Sequence, residues 1–326
     1  MWRTVGRFAT AACLFGSVLA SGAPDAAATF PGGNGEIAYT RLSLTRGWNG
    51  VSLRTVQPDG TAERVLWPAK GSATTGPPKR VPMDVDWSST GDLVAYVASG
   101  TTLGLDRLLV GDPNTGDRTV ILRMLDFNSH AFIASVAFAP DGTSLAFCAV
   151  DIGGRAIPRL YTIGVDGSAL TLVADRALCL ADWSVDGKLV AAAGGSWHRL
   201  VTLEPDGSNQ TTILRWPDAG FGESSPSWSP DGSTIAFTAS PPGRKHQELF
   251  TVPATGGTPT RLTMSRRTDE LDPVFSPDGN SIVFTRTRDY STEQADLFIK
   301  YATGGGVTRL TDTPKLTELS RSWLTV

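Results

Sequence analysis

Histidine and cysteine are scarce in this chain, three of each among 326 residues, and no cluster of them has the spacing of a structural zinc site. Charge of one sign is lacking too. Twenty-nine Lys and Arg face 32 Asp and Glu for a net −3, with the two signs interspersed. That excludes the electrostatic footprint of a nucleic-acid binder. No long charge run or low-complexity tail appears, and Gly-x-Ser-x-Gly, the nucleophile elbow of a serine hydrolase, is absent. Apolar runs are few. The longest, residues 8–20, is too short to span a bilayer comfortably.

That run has a different reading. Arg3 and Arg7 precede it, and small residues and Pro24 follow, which is the layout of a secretory signal peptide. Residues 1–20 are expected to be removed, with an end at 28 as the alternative. Cys13 sits behind Thr10-Ala11-Ala12, without the leucine-like residue that bacterial lipidation needs, so no lipid anchor is expected. The mature chain keeps Cys148 and Cys179. Export permits a disulfide between them, but buried free cysteines are the preferred expectation.

What the chain does have is a repeat. Trp87, Phe138, Trp183, Trp228, Phe275 and Trp323 follow one another at 51, 45, 45, 47 and 48 residues. Each of the first five leads into a small-residue turn such as Ala139-Pro140-Asp141-Gly142 or Ser229-Pro230-Asp231-Gly232. An apolar strand of fixed design comes next (Leu145-Ala146-Phe147, Ile235-Ala236-Phe237, Ile282-Val283-Phe284), with bulky residues on one face and a small one on the other. A third strand (Leu160-Tyr161-Thr162-Ile163, Leu249-Phe250-Thr251-Val252) ends in a second Asp-Gly or Gly-Gly turn, a strong hairpin signal. The fourth, Arg261-Leu262-Thr263 or Arg309-Leu310-Thr311, has the composition of an exposed outer edge.

A period of this length with four short strands per unit predicts an all-β chain folded as a six-bladed β-propeller, four antiparallel strands per blade, over residues 30–326. The last repeat stops at Val326 before its turn, while the N-terminal part has second, third and fourth strands with no first. The C-terminal strand is therefore expected to complete the first blade and clasp the ring.

These motifs resemble the TolB-type propeller repeat, most closely over residues 225–311. The resemblance implies a binding platform for other proteins, as TolB docks a peptidoglycan-associated lipoprotein. There is no room here for the α/β domain that precedes the TolB propeller, nor for the hydrolase domain that accompanies the similar propeller of prolyl oligopeptidases.

Candidate chemistry is sparse. The Asp-Gly pairs read as turns rather than sialidase-like boxes, and none continues into a calcium loop. Asp84, Asp86, Asp182 and Asp272, next to the first strands, could line a central channel or bond the backbone of the next blade. His130, His198 and His246 belong to connections on one face, and separate surface histidines are the simpler reading. The same face carries the long inserts, where rigid scaffolds host function. Its binding candidates are Arg46, Trp48, Lys79, Arg80, Arg155, Arg244, Lys245, His246, Arg266, Arg267, Arg288 and Tyr290, since arginines with aromatics anchor interfaces. The expectation is an exported, monomeric, non-catalytic scaffold for a protein or cell-envelope component, with no cofactor, metal or transmembrane anchor. A carbohydrate-active lyase or hydrolase at the channel mouth is the alternative.

Overall fold

A computed structural model describes residues 31–42, 51–68, 80–100, 104–153, 156–175, 178–193, 199–216, 226–288, 295–302, 304–313 and 316–326. The chain opens with β1 (Asn34–Leu42), β2 (Ser52–Val56) and β3 (Arg64–Pro68). A sheet of β4 (Arg80–Trp87), β5 (Val94–Gly100), β6 (Arg107–Gly111) and β7 (Arg118–Arg123) follows, and then the one-turn helix α1 (Met124–Phe127). The next sheet is β8 (Ala131–Phe138), β9 (Ser144–Asp151), β10 (Ile157–Gly164) and β11 (Thr171–Asp175). After it come β12 (Leu178–Trp183), β13 (Leu189–Ala193), β14 (Arg199–Leu203) and β15 (Thr211–Arg215). A further sheet holds β16 (Ser227–Trp228), β17 (Thr234–Ala239), β18 (Glu248–Pro253) and β19 (Thr260–Arg261). The chain ends with β20 (Asp269–Phe275), β21 (Ser281–Thr287), β22 (Ala295–Tyr301), β23 (Val307–Arg309) and β24 (Thr317–Thr325).

The described residues are thus all-β apart from α1, in propeller-like blades of four antiparallel strands, each beginning with the strand that carries the repeated aromatic. Four such sheets are separate, and the remaining eight strands form one larger sheet. Within it, β24 lies antiparallel to β1, with Trp323 opposite Ile37, while β22 touches β24 through the single parallel pair Ala295 and Thr317. The final strand does supply the missing partner of β1.

The bulky-and-small design of the second strand places a core on each of its faces. Ile235 and Phe237 are buried against Val190, Leu200 and Trp216 of the preceding sheet, and Ala236 against Phe275 and Phe284 of the following one. A sheet wedged this way keeps no free face.

Polar side chains lock neighbouring sheets together. At four of the six repeated aromatics the side chain of the preceding residue accepts the main-chain N–H of the next aromatic: Asp86 from Phe138 at 2.6 Å, Asp182 from Trp228 at 2.7 Å, Ser227 from Phe275 at 3.4 Å, Ser322 from Trp87 at 3.0 Å. Asp84 likewise accepts from Val136, at 2.6 Å. These aspartates are therefore structural acceptors for the next sheet's backbone. Asp272, also fully buried, has positive φ at the bulge in β20.

Two sequence expectations need correction. Cys148 and Cys179 are joined in a disulfide, not free, and Cys179 lies within β12 rather than before it. Bulges in both first strands bring this about, because register slips at Ile133/Ser135 and Cys179/Ala181 carry the β9 and β12 cysteines to a Cα separation of 5.2 Å. Nor is the fourth strand wholly an outer edge. Thr263 and Thr311 are buried, with their hydroxyls on glutamates of the next unit.

Candidate functional site

The threonine contact recurs as a motif of three residues from three strands. Following β19, Thr263 donates to Glu270 of β20, and the other oxygen of Glu270 takes Arg286 of β21 at 2.6 Å. Following β23, Thr311 donates to Glu318 of β24, which takes Arg41 of β1 through Nε at 2.8 Å. In both strand pairs, β20 with β21 and β24 with β1, the glutamate and arginine are direct cross-strand partners. Burial pushes both carboxyls up, against the opposing pull of the arginine and threonine on each. The arginine also lies over its neighbouring aromatic, Arg286 at 4.6 Å from the Phe298 ring centre and 5.4 Å from that of Phe284.

Beside Arg286 the seam between the β16–β19 and β20–β23 sheets opens into a cleft of about 630 Å³. Segment 262–268 forms one side; Arg286, Lys300 and segment 305–307 form the other. Four cations line it: Arg266 and Arg267, both exposed, and Arg286 and Lys300 from strands. None of the described residues lining it is acidic. Glu270, behind Arg286, compensates one charge. Lys300 is 4% exposed, and its ammonium donates to the carbonyl of Gly305 at 2.8 Å. Met264, 82% exposed, and Val307 add apolar surface.

The turns after the third strands differ in how they meet the preceding sheet. At four of them the turn glycine presses on a backbone carbonyl of that sheet's outer strand or its end. A Cβ on Gly207 would lie 2.1 Å from the Val173 oxygen, and one on Gly60 2.8 Å from that of Leu310, with Gly167 and Gly256 making similar approaches. Gly116 after β6 and Gly304 after β22 would meet nothing within 4 Å.

Of the candidates from sequence, Arg266 and Arg267 line this cleft. Arg244 and Lys245 are exposed in the connection from β17 to β18. Their neighbour His246 approaches the buried Asp269 at 3.2 Å, and Gln247 donates to the same carboxylate at 2.9 Å. Those contacts hold the Arg244-Lys245 loop against the start of β20, next to segment 262–268. Arg288 is exposed at the end of β21. Arg80 begins β4, away from the cleft, and exposed His130 stands before β8 on a different sheet from His246. Arg46, Trp48, Lys79, Arg155, His198 and Tyr290 lie outside the described residues. Sequence reading passed over Arg286 and Lys300 because they sit in strands rather than inserts. A signal existed for Lys300, which holds the place of Val252, Ile163 and Leu203 in the third strand of other repeats.

Among the described residues no group of three or more His, Cys, Asp or Glu could hold a metal ion, and no helix is long and apolar enough to cross a membrane. No family model and no curated protein matches the sequence. Solved structures do match. TolB from Acinetobacter baumannii superposes with a TM-score of 0.70 at 20% identity, over 90% of this chain and 67% of that one. A putative TolB from Agrobacterium tumefaciens gives 0.60 at 18%, over 90% of this chain and 100% of that one. An oligogalacturonate lyase in complex with manganese gives 0.55 at 15%, over 88% and 84%. With its strand order and interlocked sheets, the chain is in fold a TolB-like β-propeller.

Proposed function

We propose that this protein is an exported six-bladed propeller acting as a non-catalytic binding scaffold for a protein or cell-envelope component. The observation that carries the reading is the basic cleft: four cations and two apolar side chains gathered at a seam of a rigid, interlocked framework. Six blades follow if the eight-stranded sheet is taken as two. Its halves are paired as strands through one residue pair, and each holds the same cross-strand glutamate and arginine, bonded by a threonine of the unit before. A lyase or hydrolase would favour a carboxylate and a histidine facing a deep pocket, whereas here His246 and Asp269 are engaged with each other beside the cleft.

Capture from the envelope and culture medium of the source organism, with crosslinking, tests this. A partner should be retained by the native chain and weakened by Arg266→Glu with Arg267→Glu, or by Arg244→Glu with Lys245→Glu, but not by Lys188→Glu in the turn before β13. No specific partner, or equal loss with Lys188→Glu, would overturn the proposal. Export is checked by sequencing the N-terminus of the secreted form; a mature chain still beginning at Met1 would overturn that part.

A further inference from the structure

The unit built from β24 and β1 to β3 contains a completed version of what the β20–β23 unit leaves open. Strand register equates Tyr39, Arg41, Arg54, Val56 and Glu318 of the first with Phe284, Arg286, Phe298, Lys300 and Glu270 of the second. It also equates Glu63, one residue before Arg64, with Val307, one residue before Thr308. In the first unit Arg41 is held by two carboxylates, Glu318 and Glu63. Glu63 also takes Arg54 at 3.2 Å and the hydroxyl of Tyr39. The exposed Glu63 side chain thus plugs the place beside Arg41.

The second unit lacks that plug. Valine replaces the glutamate, and among the described residues Arg286 has Glu270 as its one ion-pair partner. Its Nε is buried with no hydrogen-bond partner. Lysine replaces Val56, adding a buried ammonium for which no carboxylate partner is present among the described residues. A buried cation without a counter-charge is costly, and a carboxylate brought beside it relieves that cost through charge-assisted hydrogen bonds. The cleft of about 630 Å³ that both cations line gives room for one.

We propose that this cleft binds the carboxylate of a glutamate or aspartate side chain on an acidic segment of a partner polypeptide, the incoming group taking the place that Glu63 fills in the other unit. A polypeptide is favoured because the internal counterpart is itself a glutamate side chain. Exposed Met264 and Val307 also offer contact to an apolar neighbour in the partner's sequence. Arg266 and Arg267 then supply the outer, salt-sensitive part of the attraction. The inference rests on the scaffold reading and gives its partner a chemistry.

The probe is a fluorescein-labelled peptide of alternating Leu and Glu, compared with its Leu and Gln counterpart and with oligogalacturonate, by anisotropy and competition. The Glu peptide should bind about tenfold tighter than the Gln peptide, a difference of about 1.4 kcal/mol. Val307→Glu supplies the missing plug and should abolish that preference. Lys300→Met, which keeps the burial and removes the charge, should weaken it and covers the case that Val307→Glu fails to fold. Equal binding of the two peptides, a preference undiminished in a folded variant, or tighter binding of oligogalacturonate would overturn the proposal. An envelope partner captured equally by native protein and Val307→Glu would remove the cleft and leave the scaffold. Peptide binding sensitive to Val307→Glu, with no envelope partner, would do the reverse.

Discussion

At the residue scale, the serine and aspartate of the Trp-Ser-Pro-Asp-Gly motif hold its turn by short-range hydrogen bonds. Ser229 donates to Asp231 at 2.5 Å and accepts the N–H of Thr234 at 2.9 Å, while Asp231 accepts the N–H of Ser233 at 3.0 Å. Ser276 and Asp278 repeat the arrangement. These hydrogen bonds hold the Asp231 and Asp278 carboxyls below the usual range, the pull on Asp278 overcoming its burial. The turns were legible in sequence because every bond spans five residues or fewer. For Asp86 the sequence left a channel lining and a bond to the next blade's backbone both open, since its partners Phe138 and Ser322 are 52 and 236 residues away. Burial pushes its carboxyl well above the usual range, opposed by the Ser322 and Phe138 bonds and reinforced by Asp84. A carboxyl raised on folding contributes stability that is fully present below its unfolded value, about 3.9, and is lost as pH rises through the folded value. Asp86→Asn mimics the protonated acid. The melting temperature of the native protein should therefore fall relative to the variant as pH is raised from about 4 towards neutrality; parallel profiles would refute the assignment.

At the element scale, the joints between sheets carry the information that single repeats do not. Gly187 and Gly207 have nearly the same φ, 84° and 83°, yet an added Cβ meets nothing at the first and the Val173 oxygen at the second. Gly187→Ala should cost about 1–2 kcal/mol for the left-handed backbone alone. Gly207→Ala should cost on the order of 1–3 kcal/mol more, because the neighbouring strand has to move. Denaturant unfolding of the two variants measures the difference, and equal costs would mean that the seam is looser than described. The disulfide is the covalent joint between the β8–β11 and β12–β15 sheets, closing a loop across a separation of 31 residues. Replacing both cysteines by serine should cost about 2–4 kcal/mol. Thiol labelling of the unfolded, unreduced mature chain should find no free cysteine.

For the whole molecule, the pairing of β24 with β1 decides whether the array closes. Ile37, Tyr39 and Trp323 share one core cluster with Val274, Val283 and Leu297 of the preceding unit. The indole of Trp323, 2% exposed, donates to the carbonyl of Gly35 at 3.0 Å. Deleting residues 320–326 removes that side chain and strips most of the partner strand from β1. Burial of one large apolar side chain is worth at least about 1.5–3 kcal/mol, and the lost ladder adds to it. The truncated chain should melt well below the parent or aggregate through the exposed edge. An unchanged melting temperature would show that the last strand is dispensable.

By itself the sequence determined the repeat, its strands and its turns, because these rest on periodicity and on bonds between near neighbours: alternating side chains, Asp-Gly geometry, an aromatic at a fixed place. Pairing of the two chain ends was legible for the same reason, as each half lacked what the other had. The disulfide was undetermined, since two bulges of one residue each decide whether Cys148 and Cys179 meet. The threonine, glutamate and arginine motif also escaped, although its threonine and glutamate recur at 48 residues, because its arginine comes from a further strand, Arg286 after one glutamate and Arg41 far before the other. Only the tertiary structure could place Lys300 and Arg286 beside Arg266 and Arg267. A cleft is a relation between neighbouring strands and segments, lined here from both sides of a seam that no single repeat contains.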